Sequence, residues 1–328
     1  MTVIRESTIL GNAEYVGTFD QDSPEWHAQR AEVIGSSDIA SILGLSHFKS
    51  AYTLWHEKAG LIMPIPPDER QQNKYAYGHF MEPFVASRFM KAYPEFFLQE
   101  TGSWRSIEHP WQGCNPDRLV HLADTPAEVP AAHSVAELKT FPSLADWEGG
   151  PPAGYVAQLK WQLDVFGFRK GWIAGYANLS GDFVPYEFEL DPFEADAVRA
   201  RAKDFNSSVE EARAVLADAE NAGWDEARVL EILQELAPDI DGSEDTYRTI
   251  RRLNPSIPDP KAEAVIPDDI AEQYLEACRN AKTSESELLK WKGHLLAFMG
   301  TAKFAVYDGK KIASRVAVKD NPAYLKEA

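Results

Sequence analysis

Apolar residues recur at helical spacing up to Ala92 and then shift to alternation, which separates a helical opening from a strand-bearing middle. Asp22-Ser23 supplies a cap ahead of Pro24, so a first helix is expected over 24–30. Gly35-Ser36-Ser37-Asp38 reads as a second helix start, leading to Ile39, Ile42 and Leu43 and ended by Gly44. A third short helix over 51–59 carries Leu54, Trp55 and Lys58 and stops at Gly60. Met63-Pro-Ile-Pro-Pro is a loop, and a longer helix follows over 73–92, with Phe80, Phe84, Val85 and Phe89 on its apolar side.

Strands are predicted at 97–100, 103–107, 114–121 and 134–139, then at 171–176 and 183–190 across the turn Asn178-Leu-Ser-Gly. A helix over 154–166, with Tyr155, Leu159, Leu163 and Phe166 facing inward, separates the two groups. The class is therefore α/β, a central mixed sheet flanked by helices. Beyond Asp191 the pattern turns helical again, over 193–218, 224–236 and a short stretch near 246–252, with Pro- and Asp-rich connections. A long helix over 268–300, with Tyr274, Leu275, Leu288, Leu289, Leu295, Leu296 and Phe298 among its apolar residues, precedes a closing hairpin turned at Asp308-Gly309. The expected division is a core at 1–192 and a helical extension with the hairpin at 193–328.

Composition narrows the function classes. With 328 residues, 44% of them hydrophobic and nine tryptophans, the chain can bury a sizeable core. No run approaches a membrane span, and the first residues lack a secretion signal, so a cytoplasmic protein is expected. Two cysteines, Cys114 and Cys278, exclude a four-cysteine metal site within one chain and read as reduced thiols. The 33 basic residues against 51 acidic ones give −18. Neither half of the chain is basic, so DNA binding would have to rest on a local groove, positioned phosphate contacts and bound cations.

Candidate chemistry lies in the strand region. Asp117, after Pro116, stands on or beside one strand, and Glu137-Leu138-Lys139 lies on another downstream. Period-two geometry puts Glu137 and Lys139 on one face. If the strands are neighbours, two carboxylates and an ammonium converge, which suits phosphodiester hydrolysis. Carboxylates can hold one or two Mg²⁺, and Lys139 would orient or help deprotonate the attacking water. Glu82, in Gly78-His-Phe-Met-Glu82 on the preceding helix, and Gln158 on the following one complete an ordered set. Trp26 and Trp55 read as packing aromatics, and His47, His79, His109 and His121 lack ligand spacing. The Lys310-Lys311…Arg315…Lys319 stretch reads as a solvated edge.

The strings Trp26…Arg30…Ile34-Gly35-Ser36-Ser37-Asp38-Ile39-Ala40…Ile42-Leu43-Gly44-Leu45 and Leu54-Trp55…Lys58…Gly60 resemble the YqaJ-like viral recombinases. So do Gly78…Glu82-Pro83, Asn115-Pro116-Asp117, Glu137-Leu138-Lys139 and Tyr155…Gln158, and in the tail Asp241-Gly242-Ser243-Glu244 and Leu296…Met299-Gly300. This family is related to the phage lambda exonuclease and RecB-type nucleases. The resemblance implies a PD-(D/E)xK, restriction-endonuclease-like core and Mg²⁺-dependent 5′-to-3′ exonuclease action on double-stranded DNA ends, with Mn²⁺ substituting. By position, Asp117, Glu137 and the Leu138 carbonyl would be metal ligands, Lys139 would serve the water, and Glu82 would be an outer or second-metal carboxylate. Arg30, Ser36 or Ser37, Asn115 and Gln158 would receive the terminal 5′ phosphate, the serines capping a helix whose free N–H groups favour an anion. A single-strand annealing recombinase and a homo-oligomeric ring trimer are the partners the family implies.

Two positions depart from the pattern: Arg118 stands where many relatives carry a small residue, and Gln162 where RecB-type sequences prefer an aromatic. Two other readings compete with the exonuclease. One is an endonuclease of the same fold, which needs no DNA end. The other is a catalytically silent end-binding scaffold, which would have no reason to cluster carboxylates where phosphates approach.

Overall fold

A computed structural model of the chain describes residues 8–20, 23–124, 131–261, 263–318 and 321–327. Two strands open it, β1 (Ile9–Leu10) and β2 (Ala13–Gly17), followed by helices α1 (Pro24–Glu32), α2 (Ser36–Ile42), α3 (Ala51–Lys58) and α4 (Glu69–Ala92). Five strands come next: β3 (Phe96–Gln99), β4 (Ser103–Ser106), β5 (Gly113–Cys114), β6 (Arg118–Leu122) and β7 (Ser134–Phe141). Helix α5 (Ala153–Phe166) leads to β8 (Lys170–Ala177) and β9 (Phe183–Glu189). Helices α6 (Pro192–Ala222), α7 (Glu226–Leu236), α8 (Glu244–Leu253) and α9 (Asp268–Met299) precede β10 (Phe304–Tyr307), β11 (Lys310–Val318) and β12 (Asn321–Glu327).

The expected mixed sheet is present, in the order β3-β6-β7-β8-β9. Strands β7 and β8 are parallel, with α5 as their crossover, and the other neighbours are antiparallel. Side-chain alternation sorts the two faces. Val120, Ala136, Leu138, Trp172 and Ala174 pack with Val85 and Phe89 of α4. Leu119, Val135 and Ile173 pack on the other side with Leu159 and Leu163 of α5. A second antiparallel sheet, β1-β2-β4-β5, lies in the same compact unit, Met1–Ser256.

Helix caps explain several boundaries. Ser23 accepts the Trp26 N–H at 3.1 Å and starts α1; its expected companion Asp22 lies outside the described residues. Ser50 caps α3 by accepting from Thr53 N at 3.0 Å. Gly44 and Gly60 follow α2 and α3 at φ +71° and +80°, a conformation that costs glycine nothing.

Three expectations change. The strand read over 114–121 is two strands, because residues 115–117 carry the chain from the small sheet to the large one. Pro116, with no N–H to give a ladder, sits in that crossing. Phe80 and Phe84 were assigned to the buried side of the fourth helix, yet they are 79% and 42% exposed. Only Val85, Ala86 and Phe89, toward the C-terminal end of α4, are buried. Strands β1, β2 and β12 and a 3-10 turn at Leu144–Trp147 were not anticipated.

The boundary placed at 192/193 falls at the start of α6, and α6–α8 pack inside the first unit. Ala202, Phe205, Val209, Ala212 and Leu233 join its core. Trp55, fully buried, donates from Nε1 to Ser208 Oγ at 3.0 Å, and Thr53 and Thr249 share a 2.8 Å hydroxyl bond. The second unit, Ile257–Ala328, holds α9 and the meander β10-β11-β12. Met299, Ala305 and Ala313 form its small core, while Tyr274, Leu275, Leu288, Leu289 and Phe298 on α9 are exposed. Cys114 is buried and Cys278 exposed, both as free thiols.

Candidate active site

Glu137 is the most deeply enclosed acid described at the site, with no exposed surface. It lies on β7 between Ala136 and Leu138, so it faces α5 while they face α4. Lys139, two residues on, shares its face and donates from Nζ to Glu137 Oε2 at 2.6 Å. Gln158 donates to the same oxygen at 3.0 Å, and Gln162, one helical turn later on α5, donates to Glu137 Oε1. Asp117 closes the group from the β5–β6 crossing, its Oδ2 accepting the Leu138 N–H at 2.7 Å. The Lys139 ammonium also lies 5.2 Å from the centre of the Tyr155 ring.

Burial, more than any neighbour, raises the carboxyl groups of Asp117 and Glu137 above the ordinary range. Their mutual proximity adds to the rise at Glu137, and Glu82 adds to it at Asp117. For Lys139, burial acts in the opposite direction but is outweighed by Glu137 and Asp117, so the ammonium is raised above its usual value. The arrangement is one cation held against two carboxylates that resist sharing a desolvated space. A hard divalent ion would relieve that repulsion. Asp117, Glu137 and the Leu138 carbonyl are oxygen donors of the kind Mg²⁺ takes, and Mg²⁺ keeps several waters, so few protein ligands suffice. Among the described residues no three His, Cys, Asp or Glu side chains form a metal-holding group by themselves.

Glu82 approaches from the other side. It lies on α4, which covers the face opposite Glu137, and it is bound by Arg118, a buried guanidinium on β6 whose Nη1 is 3.3 Å from Glu82 Oε2. The same Nη1 donates to the Asp117 carbonyl at 2.5 Å, and Nη2 stands 3.4 Å from Glu100 Oε1.

Of the residues expected around a phosphate, Arg30, Ser36 and Ser37 lie at the start of α2, whereas Gln158 binds Glu137. Arg30 Nη2 donates to Ser37 Oγ at 2.7 Å, with its guanidinium 4.6 Å from the Trp26 ring centre. Gln162 Nε2 also reaches Ser36 Oγ at 3.4 Å, which joins that corner to Glu137. The close approach of α2 and α5 depends on Gly154: a Cβ there would meet Ala40 Cβ at 3.3 Å. Asn115 is exposed on the β5–β6 crossing, two residues before Asp117.

The serines do not cap α2, contrary to expectation. Gly35 is the N-cap, without a side-chain bond, and the Asp38 carboxylate accepts the Gly35 N–H at 3.0 Å. An acid thus fills the helix start, balanced by Lys58 at 2.9 Å and Arg30 at 3.7 Å. Lys58 further donates to the carbonyls of Arg30 and Val33, both at 2.7 Å. Four participants were not assigned roles from sequence: Gln162, Arg118, Asp38 and Lys58. The first two were visible only as departures from a pattern, and the last two only as letters within a motif.

Residues 25–175 match the YqaJ-like viral recombinase domain. The chain is 27% identical over 228 residues to the uncharacterized protein YqaJ of Bacillus subtilis, an alignment covering 68% of this chain and 66% of that one, just under two thirds. A protein of African swine fever virus is 33% identical over 111 residues, 31% of this chain and 29% of the viral one. Among solved structures, the alkaline exonuclease LHK-Exo of Laribacter hongkongensis superposes with a TM-score of 0.49 at 18% identity, covering 62% of this chain and 100% of that chain. No helix of the described residues is long and apolar enough to cross a membrane.

Proposed function

We propose that this chain, which carries a YqaJ-like viral recombinase domain at residues 25–175, is a Mg²⁺-dependent exodeoxyribonuclease that degrades double-stranded DNA from its ends, 5′ to 3′. The observation that carries this reading is the convergence of Asp117, Glu137 and Lys139, locked by the bond from Leu138 N to Asp117 and the two glutamines on Glu137. Asp117, Glu137 and the Leu138 carbonyl would hold the cation. A bound divalent ion would supply Lewis-acid polarisation of the phosphate and lower the pKa of a coordinated water.

The residues do the rest. Lys139, kept as an ammonium by its two carboxylate neighbours, orients the attacking water and offsets charge building on the phosphate oxygens. Glu137 is fixed by donors on both oxygens, so its geometry is set before substrate arrives. Arg30, Ser36 or Ser37, Asn115 and Gln158 would receive the 5′-terminal phosphate.

The test is digestion of end-labelled linear duplex and covalently closed circle by the full chain, with and without Mg²⁺. Loss of the linear substrate alone, only with Mg²⁺, supports the reading. Cleavage of the circle would make the protein an endonuclease, and binding of ends without hydrolysis would make it a scaffold.

A further inference from the structure

Arg118 stands beside the acids of the site, yet the proposed chemistry leaves it without a part. Its guanidinium is buried, on the face of the sheet that α4 covers, and it engages three oxygens: Glu82 Oε2 at 3.3 Å, Glu100 Oε1 at 3.4 Å and the Asp117 carbonyl at 2.5 Å. Glu82 is bonded to Arg118 while its charge is still felt at Asp117, and no three His, Cys, Asp or Glu side chains of the described residues form a cation-holding group.

We infer that Arg118 takes the place of a second divalent cation, holding Glu82 away from Asp117 and leaving the site to a single ion; the inference rests on the metal-dependent reading above. Charge balance supports it. Glu100 is 64% exposed and its charge is screened by solvent, so the buried balance is Asp117, Glu137 and Glu82 against Lys139 and Arg118, one net negative charge. One divalent ion together with the single negative charge of a scissile phosphodiester brings the site to neutrality. A second divalent ion would leave two positive charges in a partly desolvated cleft, a costly excess. Geometry agrees with charge. A guanidinium is permanently cationic and presents several donors in a fixed plane, so it can bridge a carboxylate and a backbone carbonyl as a divalent ion would. It cannot polarise a water as a metal does, so Arg118 acts by position: it neutralises Glu82 and fixes the Asp117 backbone. Replacing it with a small residue frees Glu82 to turn toward Asp117 and opens the space for a second ion.

The experiment counts bound Mn²⁺ by electron paramagnetic resonance, using the full chain on a duplex end whose terminal linkages are phosphorothioates that resist cleavage. Wild-type protein is expected to hold about one ion and Arg118→Gly about two, the pair spin-coupled because such ions sit about 3.5–4 Å apart. Adding Glu82→Gln to Arg118→Gly should return the count to one. Two ions in the wild type, or one in an Arg118→Gly protein that still binds the duplex, would overturn the inference while leaving the nuclease reading intact. Should Arg118→Gly fail to fold, Glu82→Gln alone decides. Unchanged Mn²⁺ affinity supports the inference, whereas a loss of about tenfold or more, the range seen when a metal's supporting groups are removed, makes Glu82 part of the cation site and overturns it. If no protein binds Mn²⁺, the metal-dependent reading fails and this inference with it.

Discussion

Asp117 is held by the backbone of Leu138, whose N–H donates to Asp117 Oδ2 at 2.7 Å. The bond reaches from the chain just before β6 to the middle of β7, so the carboxylate is positioned by main chain that also carries Glu137 and Lys139. It leaves Oδ1 free of that contact. Asparagine can accept the same N–H but carries no charge. Asp117→Asn and Lys139→Ala are therefore expected to reduce cleavage by orders of magnitude while circular dichroism and elution volume stay unchanged. Near-normal hydrolysis by either folded protein would refute the triad.

Cation binding should also be visible as stability. An ion that binds only the folded chain stabilises it by about 2.7 kcal/mol at a hundredfold excess over its Kd. Thermal melts with and without Mg²⁺ should show that gain in the wild type and lose most of it in Asp117→Asn. Without metal, Asp117→Asn is expected to melt no lower than wild type, since the substitution removes a carboxylate that burial and Glu82 already disfavour. Equal Mg²⁺ shifts in both proteins would place the ion elsewhere.

Gln162 has no exposed surface and aims one amide nitrogen at both Glu137 Oε1 and Ser36 Oγ. Its own Oε1 finds no partner among the described residues. The amide is oriented by Glu137, because the reverse orientation would set a carbonyl against a carboxylate. Gln162→Met keeps the volume and removes the donor, and should lower kcat by about 10–100-fold with KM little changed, as for other groups that orient a metal ligand. Gln162→Glu should be worse, adding a like charge to a buried site. Equal activity of Gln162→Met and wild type would leave Gln162 a packing residue.

Much of this site was legible before folding because its key spacing is local. Glu137 and Lys139 share a face by strand alternation, and Gln158 faces the same way as Gln162 by helical periodicity. What escaped depends on contacts between distant segments. Nothing near Arg118 in sequence announces Glu82 or Glu100 as its partners. The pairing of β2 with β4 joins residues 13–17 to 103–106 across four intervening helices. Phe80 and Phe84 carry a helical apolar pattern, yet whether the pattern is covered depends on how far the sheet extends under α4. Periodicity does not encode that distance.

Acid should unlock the corner around α2. Burial alone would raise the Asp38 carboxyl, but the Lys58 ammonium and the Arg30 guanidinium outweigh it and hold the group below its ordinary value. A depressed native value stabilises the fold above the unfolded pKa of about 3.9, and that contribution is lost as pH falls through the native value. Asp38→Asn should thus cost about 3 kcal/mol at pH 7, the low end for breaking a buried pair, since Lys58 keeps two carbonyl acceptors. Urea titrations of both proteins should differ at pH 7 and converge in strong acid. A penalty independent of pH would mean that shape, not charge, is what Asp38 supplies.

End recognition is the most demanding expectation, because the α2 start cannot supply it alone. Asp38 fills that helix terminus, so attraction for a phosphate must come from side chains. Arg30 is suited to it: its side chain is 36% exposed, and its guanidinium lies over the Trp26 ring and already donates to Ser37. Lys58, at 2.9 Å from Asp38 against 3.7 Å for Arg30, takes the larger share of that acid's charge and leaves Arg30 available for another anion. In a protein of net charge −18, a 5′ phosphate would find few other cations to meet it. Wild-type protein is expected to digest 5′-phosphorylated duplex faster than 5′-hydroxyl duplex. Arg30→Ala should erase that preference by slowing the phosphorylated substrate about tenfold or more, the scale of one charge-assisted bond of roughly 1.5–3 kcal/mol. The hydroxyl substrate should be little affected. Equal rates on both ends in the wild type, or an equal slowing of both in Arg30→Ala, would return Arg30 to a purely structural part beside Ser37 and Asp38.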